Sequence, residues 1–309
     1  MRKVIGIGET LLDIIFKDNK PVEAVPGGST FNAIVSLGRV GADAFFVTET
    51  GDDHVGALVR SFLSSNNVCT DYVSERKGWK SPVSLAFLDS DNNANYTFYR
   101  DPNADPVDIP LPEINPDDIV LFGSFYAVSP ATRARVIALL ERARDCGAII
   151  YYDVNFRPSH RGDVMKVTPN LIENLEFADI VRGSRDDFEV LYKKDSAERV
   201  YRAETSFYCP RLVYTDGPRP VTVFSDGGFR KEYAMPETPT VSTIGAGDNF
   251  NAGLICAMLR YDIRRADIER GLTEAEWSKL IESATAFSAD CCAGIYNYVS
   301  KEFGANHSL

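Results

Sequence analysis

From about residue 117 onward, short apolar runs alternate with helical patterns, and this rhythm constrains the fold more than any other feature of the chain. Ile119 to Phe122, Ala148 to Tyr152, Asp179 to Arg182 and Arg211 to Thr215 read as strands. Between them, Ser129-Pro130 caps and starts a helix that ends near Gly147, and Ser184 caps a short helix through Tyr192. Strands alternating with helices predict an α/β fold with a mostly parallel sheet covered on both faces. Ligands of such sheets sit beyond the carboxyl ends of the strands. The run Ala148 to Tyr152 delivers Asp153 to such an end.

Elsewhere, Val4 to Ile7 reads as a buried strand. Thr30 to Gly41 reads as a helix with Ser29 or Thr30 as its cap and Gly41 as its stop. Asp52 to Asn67 is an amphipathic helix, with Val55, Leu58, Val59, Phe62 and Leu63 on one face. Val221 to Phe224 and Phe229 to Tyr233 flank Asp226-Gly227-Gly228 as a hairpin. Two long helices close the chain, about 246–260 and 273–295. Two β-rich pieces, about 12–27 and 81–100, do not fit the layers. The second carries the turn Asp91-Asn92-Asn93, and together they predict a small separate sheet over the site. With 309 residues and 44% hydrophobic content, residues 1–309 are expected to form a single domain with that sheet as a lid.

A net charge of −11 argues against nucleic acid or an anionic membrane as a partner. Six cysteines without a Cys-x-x-Cys spacing, and three scattered histidines, give no zinc pattern. Reduced thiols in the cytoplasm are expected. The N-terminus meets Glu9 too soon for a signal peptide, and no run approaches the roughly 18 apolar residues of a membrane span.

The chemistry concentrates in Val241-Ser242-Thr243-Ile244-Gly245-Ala246-Gly247-Asp248-Asn249-Phe250-Asn251-Ala252-Gly253. Gly245 and Gly247 allow a sharp turn into a helix and leave its first N–H groups open to an anion such as a phosphate. A carboxylate beside that anion needs a reason. Asp248 either takes a proton from an attacking hydroxyl or merely caps the helix. Neither common phosphate loop is present. Leu11 stands where Gly6-x-Gly8 would need its third glycine, Phe250 does the same after Gly245, and no Gly-Lys pair occurs. Asp13, just past the first strand, suits paired sugar hydroxyls or is a solvated loop acid. Pro26-Gly27-Gly28-Ser29-Thr30-Phe31-Asn32-Ala33 places an amide in the first turn of a helix, where it suits a polyol.

The turn at 242–253 resembles the second signature of the PfkB (ribokinase-like) carbohydrate kinases, Asp-Thr-x-Gly-Ala-Gly-Asp-x-Phe-x-x-Gly, with Ser242 in place of the first acid. Gly27-Gly28, Asn32 and the later Gly51-Asp52-Asp53-His54-Val55-Gly56 resemble the first signature. Phe98-Tyr99-Arg100, followed by Ala104-Asp105, and Asp153-Val154-Asn155-Phe156-Arg157-Pro158 are similar to the fructokinase and 2-keto-3-deoxygluconate kinase branch. Ser184-Arg185-Asp186-Asp187 stands in the place of the family's Asn-x-x-Glu, and Thr215-Asp216-Gly217 matches its Thr-x-Gly turn.

The resemblance covers almost the whole chain. It implies a three-layer ribokinase-like sandwich with a β-sheet lid and transfer of the γ-phosphate of ATP, with Mg²⁺, to a primary hydroxyl of a monosaccharide. Asp248 would be the catalytic base, and the backbone of Gly245, Ala246 and Gly247 would hold the transferring group. Asp13, Gly27, Gly28, Asn32, Arg100, Asn155 and Arg157 would hold the sugar, although either arginine alternatively forms a structural ion pair. Ser184, Asp187, Thr215 and Gly217 would face the nucleotide, Ser184 alternatively being a helix cap. No metal ligand is assigned beyond Asp187. The family often adds a K⁺ site near the adenine, where Ile295-Tyr296-Asn297-Tyr298-Val299 departs from its pattern. Fructose is the first sugar and 2-keto-3-deoxygluconate the second. Ser242 and Ser184 leave room for a sugar-binding regulatory protein of weak activity. An apolar outer face of the lid would favour a homodimer.

Overall fold

The computed structural model describes residues 2–88, 94–100 and 109–309. The strands in chain order are β1 (Lys3–Ile7), β2 (Leu11–Lys17), β3 (Lys20–Gly27), β4 (Asp43–Gly51), β5 (Val68–Cys69), β6 (Val73–Arg76), β7 (Val83–Leu88), β8 (Ala94–Tyr99), β9 (Ile119–Gly123), β10 (Ile149–Asp153), β11 (Ile180–Ser184), β12 (Leu212–Thr215), β13 (Val221–Ser225) and β14 (Phe229–Tyr233). The large sheet runs β14-β13-β12-β11-β10-β9-β1-β4-β5, with β6 on the later part of β4. From β12 to β5 every pairing is parallel, and β13 and β14 extend the sheet antiparallel at one edge.

Successive side chains of a strand point to opposite faces, so the central strands feed two apolar layers. Val4, Ile119, Leu121, Ile149 and Tyr151 pack on one side with Phe31, Phe250 and Trp277 from the helices Ser29–Arg39, Ala246–Arg260 and Glu274–Cys292. Ile5, Val120, Phe122, Ile150 and Tyr152 pack on the other with Val136, Leu171 and Phe188 from Arg133–Asp145, Val164–Phe177 and Arg185–Tyr192. This is the three-layer α/β sandwich expected. Because the strands are parallel, Glu9, Asp153, Ser184 and Thr215 all arrive at the same end of the sheet.

The two β-rich pieces form a separate four-stranded sheet, β3-β2-β7-β8, with its own thin apolar layer of Ile15, Val25 and Ala86. The expected turn Asp91-Asn92-Asn93 and the pair Ala104-Asp105 lie outside the described residues.

Local expectations were corrected in several places. The first helix spans Ser29–Arg39, and its cap is Gly28, at φ 135° and without a side-chain cap bond. Neither Ser29 nor Thr30 caps it, because the Ser29 hydroxyl is turned into the site. The amphipathic helix is His54–Ser65, capped by Asp53. Ser129-Pro130 does not start a long helix: Ser129 ends a short one, Ser124–Val128, and the long one begins at Arg133. The last long helix stops at Cys292 rather than 295. Strand β4 and helix Val164–Phe177 were not expected. Thr48, Glu49 and Thr50 interrupt the apolar run of the first, and Pro169 breaks the helical pattern of the second.

Candidate active site

The glycine turn is built as its residue types require. Gly245 sits at φ 77°, and a Cβ there would lie 2.6 Å from the Asn297 carbonyl oxygen, so only glycine fits. Ser242, in the place of the family's acid, is buried and accepts a hydrogen bond from the Ile244 N–H at 3.2 Å. The N–H groups of Val241 and Ser242 both reach the Cys292 carbonyl, at 2.8 and 3.3 Å. The turn is therefore tied to the end of the last long helix without the carboxylate.

Helix Ala246–Arg260 follows at once. The Ala246 N–H donates to the Thr243 carbonyl at 3.2 Å. Those of Gly247 and Asp248 face no protein acceptor among the described residues, as expected for a first helical turn able to take an anion.

Asp248 is buried, with 6% of its surface exposed. Its carboxylate accepts from Ser29 Oγ at 2.9 Å and from Asn32 Nδ2 at 2.8 Å. Burial raises its proton affinity, against the Arg157 cation and the two hydrogen bonds, which favour the charged form.

Beside it, Asp153 is buried and accepts from Arg182 Nη1 at 3.0 Å, and the same guanidinium donates to Thr215 Oγ1 at 2.7 Å. Burial works against the charge of Arg182, but the carboxylates of Asp153 and Asp187 outweigh it. The guanidinium lies so close to the turn that a Cβ on Gly247 would sit 2.9 Å from both of its terminal nitrogens.

Three hollows meet here. A cavity of about 70 Å³ is lined by Asp13, Gly28, Asn32, Arg100, Asn155, Arg157 and Asp248. A cleft of about 590 Å³ is lined by Asn155, Arg157, Arg182, Ser184, Asp187, Gly245, Gly247 and Asp248. A second cleft, about 720 Å³, is lined by Arg182, Ser184, Thr215, Gly217, Met235, Ala246, Gly247, Phe250 and Cys292. Asp248 faces both the small cavity and the first cleft. Arg182 and Gly247 face both clefts.

In the small cavity, Asp13 accepts from the Ser84 hydroxyl and, at 3.2 Å, from Asn297 Nδ2. Burial pushes Asp13 up to about 6 despite those bonds. Gly27 leaves room for the Asp13 carboxylate, which a Cβ would strike, and Gly28 likewise avoids the Glu9 carbonyl. Asn155 holds a left-handed backbone, φ 35°. Arg100 pairs with Glu9 at 2.6 Å. Arg157 makes no hydrogen bond or ion pair with a protein group among the described residues.

Ser184 and Asp187 form a reciprocal capping box, and Asp187 also accepts from the Phe156 N–H at 2.8 Å. Both Asp187 oxygens are thus committed to the backbone nearby, whereas Asp186 lines both clefts and its carboxylate makes no hydrogen bond or ion pair among the described residues. Among the described residues no cluster of three or more His, Cys, Asp or Glu could by itself hold a metal ion.

The sequence reading passed over Ser29, Arg182 and Asn297 as site residues. An arginine inside the apolar run Ile180-Val181-Arg182-Gly183 was a usable signal, since an unpaired buried arginine is costly. Ser29 and Asn297 had none, as their partners Asp248 and Asp13 lie 219 and 284 residues away in sequence.

Residues 1–292 match the pfkB family carbohydrate kinases. The chain belongs to that family. This carbohydrate kinase is 25% identical over 285 residues to probable fructokinase-6, chloroplastic, of Arabidopsis thaliana, a match spanning 88% of this chain and 74% of that protein. It is also 25% identical over 270 residues to a fructokinase of Klebsiella pneumoniae, spanning 84% and 86%. Among solved structures, fructokinase from Vibrio cholerae O395 bound to fructose, ADP and calcium superposes with a TM-score of 0.85 at 19% identity, covering 100% of this chain and 99% of that one. Aminoimidazole riboside kinase from Salmonella enterica, complexed with its riboside and an ATP analogue, gives 0.84 at 22%, covering 99% and 98%. These structures establish the ribokinase-like fold. No helix among the described residues is long and apolar enough to cross a membrane.

Proposed function

We propose that this kinase transfers the γ-phosphate of ATP to a primary hydroxyl of a monosaccharide, with fructose as its first substrate. One observation carries the reading: Asp248 is the wall between the small cavity and the first cleft, held by Ser29 and Asn32. A sugar in the cavity presents its hydroxyl to Asp248, and a nucleotide in the clefts presents its γ-phosphate to the same carboxylate. The hydroxyl proton passes to Asp248 as the oxygen attacks phosphorus, and ADP leaves. Burial raises the proton affinity of Asp248 and so suits it to act as the base. The Gly247 and Asp248 N–H groups and the Arg182 guanidinium face the charge of the transferring group.

Asp13, Asn32 and Asn155 take sugar hydroxyls, and Thr215 and Gly217 flank the nucleotide. Mg²⁺, held chiefly by the phosphates with Asp186 as its protein donor, would neutralise phosphate charge. The small sheet closes over the sugar and excludes water that would otherwise accept the phosphoryl group. Six unpaired thiols fit a reducing cytoplasm. Pairing of two copies through the outer face of the small sheet, where Val22 and Tyr99 are exposed, is tested by light scattering.

A sugar acid such as 2-keto-3-deoxygluconate is the second reading, favoured by the unpaired guanidinium of Arg157 in the cavity. ADP release from Mg·ATP with fructose, 2-keto-3-deoxygluconate, ribose, glucose, tagatose and adenosine separates the two. Silence across the whole panel would overturn both substrate readings.

A further inference from the structure

The family often adds a K⁺ site in the region that Ile295–Val299 occupies in this chain, and that region meets the glycine turn. The loop after the last long helix runs so close to the turn that a Cβ on Gly245 would strike the Asn297 carbonyl. An ion seated in this seam would need oxygen ligands from both sides. It would also need a counter-charge, since a buried cation is costly unless paired.

The oxygens are present, but protein donors already hold them. Asn249, fully buried near the start of the helix Ala246–Arg260, donates from Nδ2 to the Gly245 and Asn297 carbonyls, each at 2.8 Å. Its Oδ1 accepts from Ser36 Oγ at 2.6 Å and from the Val299 N–H at 3.2 Å. A backbone N–H can only donate, so the amide cannot be reversed, and its hydrogens stay on the carbonyl side.

The carbonyls of Ile244 and Tyr296 face the Cys291 Sγ at 3.4 and 3.6 Å. Burial pushes the Cys291 thiol up, so the sulfur keeps its hydrogen and donates to them. A neutral thiol is a soft group and a poor ligand for a hard cation such as K⁺. The Cys292 carbonyl takes the N–H groups of Val241 and Ser242.

The turn lacks the counter-charge as well. Ser242 stands where the family signature has its acid, and its hydroxyl accepts from the Ile244 N–H. The carboxylates that act on Cys291 are those of Asp248 and Asp290. Asp248 is held by Ser29 and Asn32, and Asp290 by Ser300. The donor set of the seam therefore does not fit a monovalent cation.

We propose that this kinase works without a monovalent cation, because the Asn249 amide and the Cys291 thiol fill the seam between the glycine turn and the loop that follows the last long helix. They hold the turn, and with it the Gly247 and Asp248 N–H groups, in place. The inference goes beyond the substrate reading above and holds for any sugar, provided the nucleotide binds beside the turn.

The test is isothermal titration of the full chain with Mg·ADP in KCl and in choline chloride of equal ionic strength, which needs no sugar. ADP release with whichever sugar of the panel is turned over is measured in the same two salts. The expected result is a Kd for Mg·ADP and a kcat within about twofold between the salts. A double variant, Ser242→Asp with Cys291→Ala, returns a carboxylate to the turn and empties the place of the thiol. It is expected to bind Mg·ADP at least about fivefold more tightly in KCl than in choline chloride. A wild type that is stimulated fivefold or more by K⁺ in either measurement overturns the proposal and leaves the substrate reading standing. A folded double variant that still ignores K⁺ overturns it too, because the thiol and the missing acid would then not be what excludes the ion. The wild-type comparison decides by itself should the double variant fail to fold. No binding of Mg·ADP in either salt overturns the nucleotide reading and this inference together.

Discussion

The carboxylate of Asp248 and the side-chain amide of Asn32 are joined by a 2.8 Å hydrogen bond across 216 residues of sequence. It ties the start of the helix Ala246–Arg260 to the start of the helix Ser29–Arg39. The group assigned to the sugar and the group assigned to the proton are therefore fixed relative to each other before any ligand arrives.

Asp248→Asn keeps the shape and both hydrogen-bonding neighbours but cannot take a proton. The expected loss in kcat is at least about 10²-fold, with sugar binding and Tm retained. Steady-state kinetics beside isothermal titration of the sugar decide it, and an unchanged kcat would remove Asp248 from the chemistry.

Asp13 gives a pH dependence of definite sign. Burial pushes it up to about 6, so the folded chain holds a proton that the unfolded chain, near 4, has already released. Its contribution to stability is greatest below about pH 4 and is lost as pH rises through about 6. Asp13→Asn is expected to raise Tm at pH 8 by about 2 °C and to leave it unchanged at pH 4. Under the proposal that the ionised form accepts sugar hydroxyls, wild-type kcat/KM should fall with acid through pH 6 while the variant's stays low. A flat profile from pH 5 to 8 would speak against Asp13 as a sugar ligand.

Arg182 and Asp153 test whether a buried pair is structural only. Arg182→Met leaves Asp153 buried and uncompensated, at a cost of about 3 kcal/mol, seen as a lower denaturation midpoint. Adding Asp153→Asn removes the stranded charge and should recover most of that loss. Activity should stay low in the double variant, because the guanidinium beside Gly247 is gone. Recovery of activity together with stability would make the pair purely structural.

Gly245→Ala places a methyl group 2.6 Å from the Asn297 carbonyl oxygen at φ 77°. The strain is about 1–3 kcal/mol, relieved by movement of the turn that carries the Gly247 and Asp248 N–H groups. The expected result is a lower Tm and a fall in kcat, with the affinity for sugar nearly retained. An unchanged kcat would mean that the turn does not need its present geometry.

The sequence by itself determined the layered α/β class, the small separate sheet, the glycine turn and the carboxylate that follows it. Each depends on local rules: strand-length apolar runs, helical periodicity, and glycine where a side chain would collide. It also offered Ser184 as a helix cap beside a nucleotide role, and the structure shows the cap, since a capping box spans only three residues. Tertiary structure alone decided that Ser29 turns from a helix cap to a ligand of Asp248, that Arg182 reaches the turn from a buried strand, and that Asn297 closes on Asp13. Each of these is a contact between distant segments, and a polar side chain's role is set by the partner that satisfies it once water is excluded. The identity of that partner is settled only when the parallel strands bring their carboxyl ends together.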